Sequence, residues 1–417
     1  MRTPVAIVGG GPAGSAIAIN LAKRGISSVI IERDTHPRFH IGESLTGESG
    51  ELLRELGVEE DLAALNPPVK HGIRVYGPSA RHEFWVPIRR RDEDGLHDST
   101  SWQVRRSTFD RFLFDRATAL GATVVQGRAV RPIVDDAGTV RGVRVALTAG
   151  GTVDVHSDVL VDASGQKTFL ANLGFTGRKE TGGYARQMAV YSHFTGAVRD
   201  GEQWGNTLTF FRQKYHWCWF IPLDEETTSI GFVVPTSYFQ ERGESPVEFM
   251  RRELREFNTE LARRVADVEM VEDVHVTANY SYTVDRFCGP GWVCLGDAHR
   301  FIDPLFSYGV NITLAEARRL AEDVQRLLAD GAAEPDRPFR EFEEWSNRGA
   351  AVAQMMLDGF WETTFAFGLL VRTHNDGIVD LFSGRLWMDD NPAVAELEAA
   401  LTRRRTSEAP AAAVATG

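Results

Sequence analysis

A strand, three spaced glycines, a helix and a second strand ending in an acid open this chain, and that order leaves few folds available. Residues 4–8, Pro-Val-Ala-Ile-Val, form a short continuous apolar run, as expected of a strand buried in a parallel sheet. Gly9, Gly11 and Gly14 follow in the spacing G-x-G-x-x-G. The first glycine permits a tight turn, the second lets a pyrophosphate approach the backbone, and the third lets helix and strand pack closely. Pro12 and Ala13 then open a segment of helical composition that runs to Arg24, and Gly25 stops it. The free N–H groups at the start of such a helix face the phosphates. Val29-Ile30-Ile31 reads as the second strand. Glu32 ends it, 18 residues past Gly14, where an acidic side chain accepts hydrogen bonds from a pair of ribose hydroxyls. Arg33 either contacts the adenosine or is solvated.

Composition narrows the partners. At about 150 residues per domain, 417 residues make two to three units. The net charge of −12 argues against nucleic acid as the main partner, since a phosphate backbone wants a basic surface. Three cysteines, Cys218, Cys288 and Cys294, are too few and too scattered for a disulfide framework, and they form no C-x-x-C pair for zinc, so no metal site is expected. No apolar run reaches 18 residues and no secretory leader opens the chain, so no membrane span is expected and the reading is a reduced, cytoplasmic protein.

Further along, residues 36–50 are polar and glycine-containing, and 51–65 look helical. Residues 73–87 alternate as strands do, and Arg89 to Thr100 reads as a charged loop. Ser107 to Leu120 is amphipathic, with Phe109, Phe112, Leu113 and Ala117 on one face. Residues 122–162 and 187–235 are strand-like, 245–265 helical and 269–296 strand-like again. A helix is expected from near Gly309 to about Leu328, followed by mostly helical sequence. The nucleotide-binding signals are thus spread over 9–33, 106–130, 162–165 and 296–311, with a strand-rich region inserted among them. The expected fold class is α/β: a Rossmann-like dinucleotide-binding domain, which the resemblance given below makes an FAD-binding domain of the GR2 type, interleaved with a strand-rich substrate domain, plus a helical C-terminal region. Expected boundaries are 1–75, 103–185 and 285–330 for the cofactor domain, 76–102 and 186–284 for the substrate domain, 331–405 for the helical region and 406–417 for a disordered tail.

The residues that fix the cofactor resemble those of a known superfamily. Gly9–Gly14 with Glu32, Asp162-Ala163-Ser164-Gly165 and Gly296-Asp297-Ala298 look like the three FAD signatures of the para-hydroxybenzoate hydroxylase-like flavoproteins, and Arg106-Ser107-Thr108-Phe109-Asp110 resembles that family's R-x-x-F-D helix start. Within the superfamily the chain looks most like the flavin-dependent halogenases. Trp217-Cys218-Trp219-Phe220-Ile221-Pro222 fits W-x-W-x-I-P, Phe301 to Gly309 fits F-x-x-P-x-x-S-x-G, and Lys70-His71-Gly72 follows Gly42-Glu43-Ser44 where that family carries its active-site lysine.

The resemblance implies an enzyme that uses reduced FAD, supplied by a separate flavin reductase, with dioxygen and chloride or bromide. It implies hypohalous acid delivered by Lys70 to an electron-rich aromatic ring, phenol- or pyrrole-like, either free or tethered to a carrier protein. Arg106, Ser44, Val130, Asp297, Pro304, Gly309, Val310 and Asn311 would join the glycines and Glu32 at the FAD. The backbone amides of Ser307, Tyr308 and Gly309 would hold the halide. Trp217, Trp219 and Tyr308 would line the substrate pocket, the tryptophans keeping substrate off the flavin; alternatively the pair is plain core. Tyr308 is bulky where relatives carry Ser or Thr. Phe360, Trp361, Phe365, Phe367 and Trp387 either line a substrate cavity or pack as core. Two other activities fit the same motifs: a flavin monooxygenase or epoxidase, which needs no Lys70, and a halogenase-like flavoprotein that modifies another protein.

Overall fold

Strand Arg2–Val8 lies in the middle of a parallel sheet, flanked by Ser28–Glu32 and Thr152–Asp162, with helix Pro12–Ala22 crossing between the first two strands. Val5, Ala6 and Ile7 are fully buried, which is why this stretch is uninterrupted apolar sequence. The computed structural model describes residues 1–78, 83–182, 186–278, 281–331 and 334–414. Strands Thr123–Val134 and Trp292–Cys294 extend the parallel sheet on its two sides. All five strands end on one side, so Gly9, Glu32, Ala163 and Leu295 gather at the carboxyl edge, where open parallel sheets bind ligands. Strand Val140–Leu147 pairs antiparallel with the parts of Thr123–Val134 and Thr152–Asp162 that outrun the parallel layer.

Among the described residues a second sheet of eight strands forms the other body of the protein. Its order is Glu269–Met270, Gln187–Thr195, Thr228–Pro235, His216–Pro222, Thr207–Gln213, Gly72–Tyr76 and Glu83–Pro87, with His275–Ala278 also on Gln187–Thr195. The period of two divides its residues between two cores. Cys218, Phe220, Phe210 and Phe232 pack with Phe249 and Leu254 of helix Pro246–Glu256. Trp217, Trp219, Ile221 and Phe211 pack on the opposite face against the C-terminal helices. Those are Arg340–Glu362, Thr364–Thr373, Asn375–Phe382 and Pro392–Val414. The long helix Tyr308–Asp330 joins the layers: its start lies in the tryptophan core and its body packs on Pro12–Ala22.

Three expectations change. Residues 89–100 are not a loop: Arg89–Asp92 and Gly95–Asp98 form a two-stranded hairpin, its turn carrying Asp94-Gly95. The boundary expected at 75/76 falls inside strand Gly72–Tyr76, which belongs to the second sheet. The helix Pro392–Val414 carries regular backbone into the stretch expected to be a disordered tail; residues 415–417 lie outside the described residues. Among the described residues no helix is long and apolar enough to cross a membrane.

Candidate active site

The turn after Arg2–Val8 shows why its residues are glycine. Gly9 has φ +105°, and a Cβ there would meet the Ala163 carbonyl oxygen at 2.5 Å. A Cβ on Gly14 would lie 1.8 Å from the Gly9 oxygen, so the helix closes on the turn only because that atom is missing. The Gly10 N–H donates to Glu32 Oε2 at 2.6 Å, and the Asp34 N–H donates to Oε1 at 2.7 Å. Glu32 is therefore anchored to the turn whose ligand it is expected to serve. Above Gly11 the space is open but for one guanidinium: Arg38 Nη2 would be 3.4 Å from a Cβ on Gly11. Arg38 Nε is buried and unpartnered. Unpaired helix N–H groups and an unsatisfied cation on a glycine turn suit a pyrophosphate. Sequence reasoning passes over Arg38, because a lone arginine in a polar segment carries no pattern. Two expected contacts do not gather here. Arg33 is exposed and pairs with Asp34 at 3.2 Å. Val130 is exposed and lies four residues beyond Gln126, the strand partner of Glu32.

The opposite wall holds Arg106 and Asp297. Arg106 is buried at the start of helix Arg106–Ala119; it donates to Asp110 through Nε at 2.7 Å and Nη2 at 3.1 Å, and to the Ile41 carbonyl through Nη1 at 2.5 Å. Asp297 follows Gly296, whose N–H donates to Glu316 Oε2 at 2.8 Å. Burial pushes the Asp297 carboxyl up to about 7, against the opposing pull of Arg106. A carboxyl raised this way binds its proton more tightly in the folded state. Its contribution to stability is full below its ordinary 3.8 and is lost as pH rises to about 7. The thermal midpoint of the cofactor-free protein is therefore expected to carry a falling component between pH 4 and 7, absent in Asp297→Asn. An identical slope in that variant would remove Asp297 from this role.

Lys70 ends the short strand Val69–Lys70, paired with Ser101–Trp102, and is 1% exposed. Its Nζ donates to Ser44 Oγ at 2.8 Å and to the Leu45 carbonyl at 2.9 Å. Ser44 Oγ is 2.8 Å from Thr207 Oγ1, which also accepts from Gln103 Nε2 at 2.8 Å. None of these partners is a carboxylate, so burial acts on the amine unopposed and lowers its pKa to about 7. Ser44 thus departs from expectation: its hydroxyl holds the lysine, because the backbone of 41–45 turns its two ends to different walls. Ile41 and Gly42 carbonyls face Arg106, while Ser44 and Leu45 face Lys70. Sequence reading also passes over Thr207 and Gln103, which support Ser44 from distant segments.

The tryptophans stand in a row on the same sheet face. Thr207, Thr209 and Phe211 alternate along one strand, and across from Thr209 and Phe211 lie Trp219 and Trp217. The row therefore starts at Thr207, whose hydroxyl meets Ser44, the partner of Lys70. The two indole rings are 5.9 Å apart, nearly buried, and part of the apolar cluster under the C-terminal helices. Trp219 Nε1 donates to Ser229 Oγ at 3.1 Å, whereas Trp217 Nε1 is buried and unpartnered. Trp219 lies over Gly231, where a Cβ would approach the ring to 2.2 Å. Gly231→Ala is expected to cost roughly 1–3 kcal/mol through overpacking, read as a lowered midpoint in urea with a changed tryptophan near-UV spectrum. Wild-type stability would show that the ring can move aside freely.

Around the expected halide nest the structure changes the Ser307 amide and the Asn311 side chain, while the Tyr308 ring lies with Trp217 and Trp219 as expected. Ser307 has φ +60°, and its N–H already donates to the Pro304 carbonyl at 2.9 Å, closing the short turn Pro304–Phe306. The nest amides that remain are those of Tyr308 and Gly309, in the first turn of helix Tyr308–Asp330, where no intrahelical acceptor exists. Gly309 is exposed with open space beside it, and Val310 is buried behind it. Tyr308 turns its ring into the tryptophan cluster and donates its hydroxyl to the Leu381 carbonyl at 2.8 Å. Asn311 is fully buried and spends its side-chain amide on the Gly384 carbonyl at 2.8 Å, pinning the C-terminal helices. Phe360, Trp361 and Phe367 pack in the tryptophan cluster, Trp387 stacks on Trp345 at 4.4 Å, and Phe365 is 89% exposed.

The parallel sheet with its glycine turn, Glu32 and Arg38 defines a dinucleotide-binding protein, and residues 2–357 match the family model described as an FAD binding domain. A 1H-pyrrole-2-carbonyl peptidyl-carrier-protein brominase of Pseudoalteromonas luteoviolacea is 36% identical over 385 residues, covering 91% of each chain. A 1H-pyrrole-2-carbonyl peptidyl-carrier-protein chlorinase of Pseudomonas fluorescens is 30% identical over 340 residues, covering 77% of this chain and 75% of its own. The solved structure of the flavin-dependent brominase Bmp2 superposes with a TM-score of 0.90 at 34% identity, covering 98% of this chain and all of that one. The chain belongs to the flavin-dependent halogenases.

Proposed function

We propose that this halogenase acts on a pyrrole-type ring carried as a thioester on a carrier protein, with Lys70 as the residue that handles the active halogen. The observation that carries this reading is the fully buried Lys70 amine, held by Ser44 and Leu45 at the head of the Trp219–Trp217 row, in a chain so similar to two pyrrole-2-carbonyl carrier halogenases. FAD, reduced by a separate flavin reductase and meeting dioxygen and a halide ion, supplies hypohalous acid. The chain's residues do the rest. Glu32 and the turn Gly9–Gly14 hold the nucleotide, Arg38 neutralises its phosphates, and the Tyr308 and Gly309 amides present donors to a halide. With its pKa near 7, Lys70 is available in both forms at neutral pH. As a neutral amine it takes the halogen, an N–halogen bond replacing the O–halogen bond while its proton leaves with hydroxide as water. As an ammonium it donates a proton to the hypohalous oxygen. The tryptophan row excludes water and keeps the ring away from the flavin.

The test is a reconstitution with FAD, flavin reductase and NADH in air, with chloride or bromide. Pyrrole-2-carbonyl on a peptidyl-carrier protein is set beside free pyrroles, phenols and indoles, and products are read by mass spectrometry. An isotope doublet on the carrier-bound acyl group is the expected result. A product that gains oxygen independently of halide, or a doublet on free phenols only, would overturn the reading.

A further inference from the structure

Gln103, Thr207, Ser44 and Lys70 form one buried hydrogen-bonded line, and its far end fixes its direction. Gln103 is fully buried, with Nε2 2.9 Å from the Gly205 carbonyl and 2.8 Å from Thr207 Oγ1. A carbonyl only accepts, so Nε2 is the amide NH2, and its two protons go to Gly205 and Thr207. Turning the amide over would set its oxygen against the Gly205 carbonyl. The Gln103 backbone is held as well, bridged to Ser44 and donating its N–H to the Pro68 carbonyl at 2.9 Å. Thr207 Oγ1 therefore accepts from Gln103.

A count of protons along the line separates the two states of Lys70. Thr207 and Ser44 bring one O–H proton each and share one contact of 2.8 Å. Among the described residues their hydroxyl oxygens have no partners besides each other, Gln103 and Lys70. As an ammonium, Lys70 has only protons to give, to Ser44 Oγ and the Leu45 carbonyl. Donors then enter the line from both ends, and one hydroxyl proton has no protein acceptor, whichever way the middle bond runs. A buried unpaired donor is unfavourable. A nitrogen with a lone pair closes the line head to tail: Gln103 donates to Thr207, Thr207 to Ser44, Ser44 to Nζ, and Nζ to Leu45. The free amine and the N-halogenated amine both have a lone pair for Ser44 and an N–H for Leu45. In the N-halogenated form the halogen takes the one direction left.

We propose that Gln103 and Thr207 are positioning residues that aim the Ser44 O–H at the Lys70 nitrogen, and that Ser44 is the catalytic donor that holds this nitrogen in its lone-pair form during halogen transfer. The proposal rests on the Lys70 reading above and selects one of its two forms, the amine that carries the halogen. In the transfer the N–halogen bond breaks with its electron pair staying on nitrogen. The C–halogen bond forms to the ring, and the displaced ring proton ends on nitrogen, which restores the amine. The Ser44 O–H faces that pair as it builds, and a fixed donor favours developing negative charge. The titratable side chains on the segments around Lys70 are Glu43, Glu48, Glu51, Arg54 and His71. Glu43 meets His193 at 2.8 Å, Arg54 pairs with Glu51 at 2.9 Å, Glu48 faces Arg385 at 3.9 Å, and none of the five bonds to Lys70.

The experiment titrates Lys70 in the full chain without cofactor, by NMR of lysine labelled at Cε; the chain has five lysines, and Lys70→Met assigns the signal. Halogenation is measured against pH on the same variants. Gln103→Glu puts an acceptor at the end of the line, which then closes for the ammonium: Lys70 donates to Ser44, Ser44 to Thr207, and Thr207 to the new carboxylate. Its Lys70 midpoint is expected to rise by about one pH unit or more, the worth of one buried unpaired donor. Its halogenation rate is expected to fall about tenfold below both midpoints and to recover at higher pH. Adding Thr207→Val keeps the charge and cuts the line, and most of the shift is expected to disappear. A Gln103→Glu midpoint equal to wild type would overturn the proposal. So would an equal shift in the double variant, which charge acting through space would produce. If Gln103→Glu does not fold, Ser44→Ala decides: kcat is expected to fall at least about tenfold at every pH with KM kept, and Ser44→Thr to recover part of it. Wild-type kcat in Ser44→Ala would overturn the proposal. A midpoint that moves while the rate profile stays would keep the line and remove Lys70 as the halogen carrier.

Discussion

Lys70→Ala is expected to lower halogenation by roughly 10²–10⁴, the usual worth of a residue that moves a proton or the reacting group in the rate-determining step. FAD binding is expected to survive, because Lys70 touches Ser44 and Leu45 and not the glycine turn. Product analysis at saturating halide, with a flavin titration on the same sample, separates the two effects. Halogenated product at near wild-type rate would remove Lys70 from the chemistry. The buried amine also leaves a thermodynamic trace whose sign is fixed. Its folded pKa, about 7, lies below its ordinary 10.5, so the unfolded chain binds more protons between those values and stability rises with pH across that window. Lys70→Met is expected to abolish that rise in the thermal midpoint. A variant that keeps the full rise would mean that the amine is not desolvated in solution.

Glu32→Ala is expected to weaken FAD binding by about 1.5–3 kcal/mol, the worth of a hydrogen bond to a charged group, or about 10- to 150-fold in the dissociation constant. The loss has two origins. The carboxylate is the acceptor expected for the ribose, and it also receives the Gly10 and Asp34 N–H groups, so its removal loosens the turn that approaches the pyrophosphate. Fluorescence titration of FAD reads the effect. Glu32→Gln is expected to recover part of it, since the amide oxygen can still accept one of the two N–H groups. An unchanged dissociation constant in Glu32→Ala would remove the carboxylate from the FAD site and show that the turn keeps its shape without it.

How much of the site the sequence shows depends on whether a residue works through local spacing. The glycine turn is local: Gly9, Gly14 and Glu32 act on neighbours within one strand–helix–strand unit, so spacing alone points to their contacts. The Trp217–Trp219 pair is half local. Period two puts both on one face, but whether that face is core or site depends on what the opposing strand brings, and Thr207 with its link to Lys70 is invisible from residues 217–222. Motif places Ser44 and Asn311 at the cofactor, and Tyr308 with its amide at the halide and its ring beside the tryptophans, where the ring is found. Their backbones fit those motifs, while their side chains turn to Lys70, Leu381 and Gly384, because a motif fixes where the chain passes and tertiary neighbours decide which way a side chain faces. Arg38 is the opposite case: its position has no pattern, yet the fold sets it over Gly11.

By itself the sequence determined the cofactor-binding unit, its edge of the sheet and the two-body plan, because apolar runs, glycine spacing and helix stops are constraints that each segment satisfies with its near neighbours. Only the tertiary structure decided the state of Lys70. Its lowered pKa and its place at the head of the tryptophan row arise from segments around 44, 103, 207 and 217 that meet in space, and desolvation belongs to that assembled surrounding, not to any one stretch of chain.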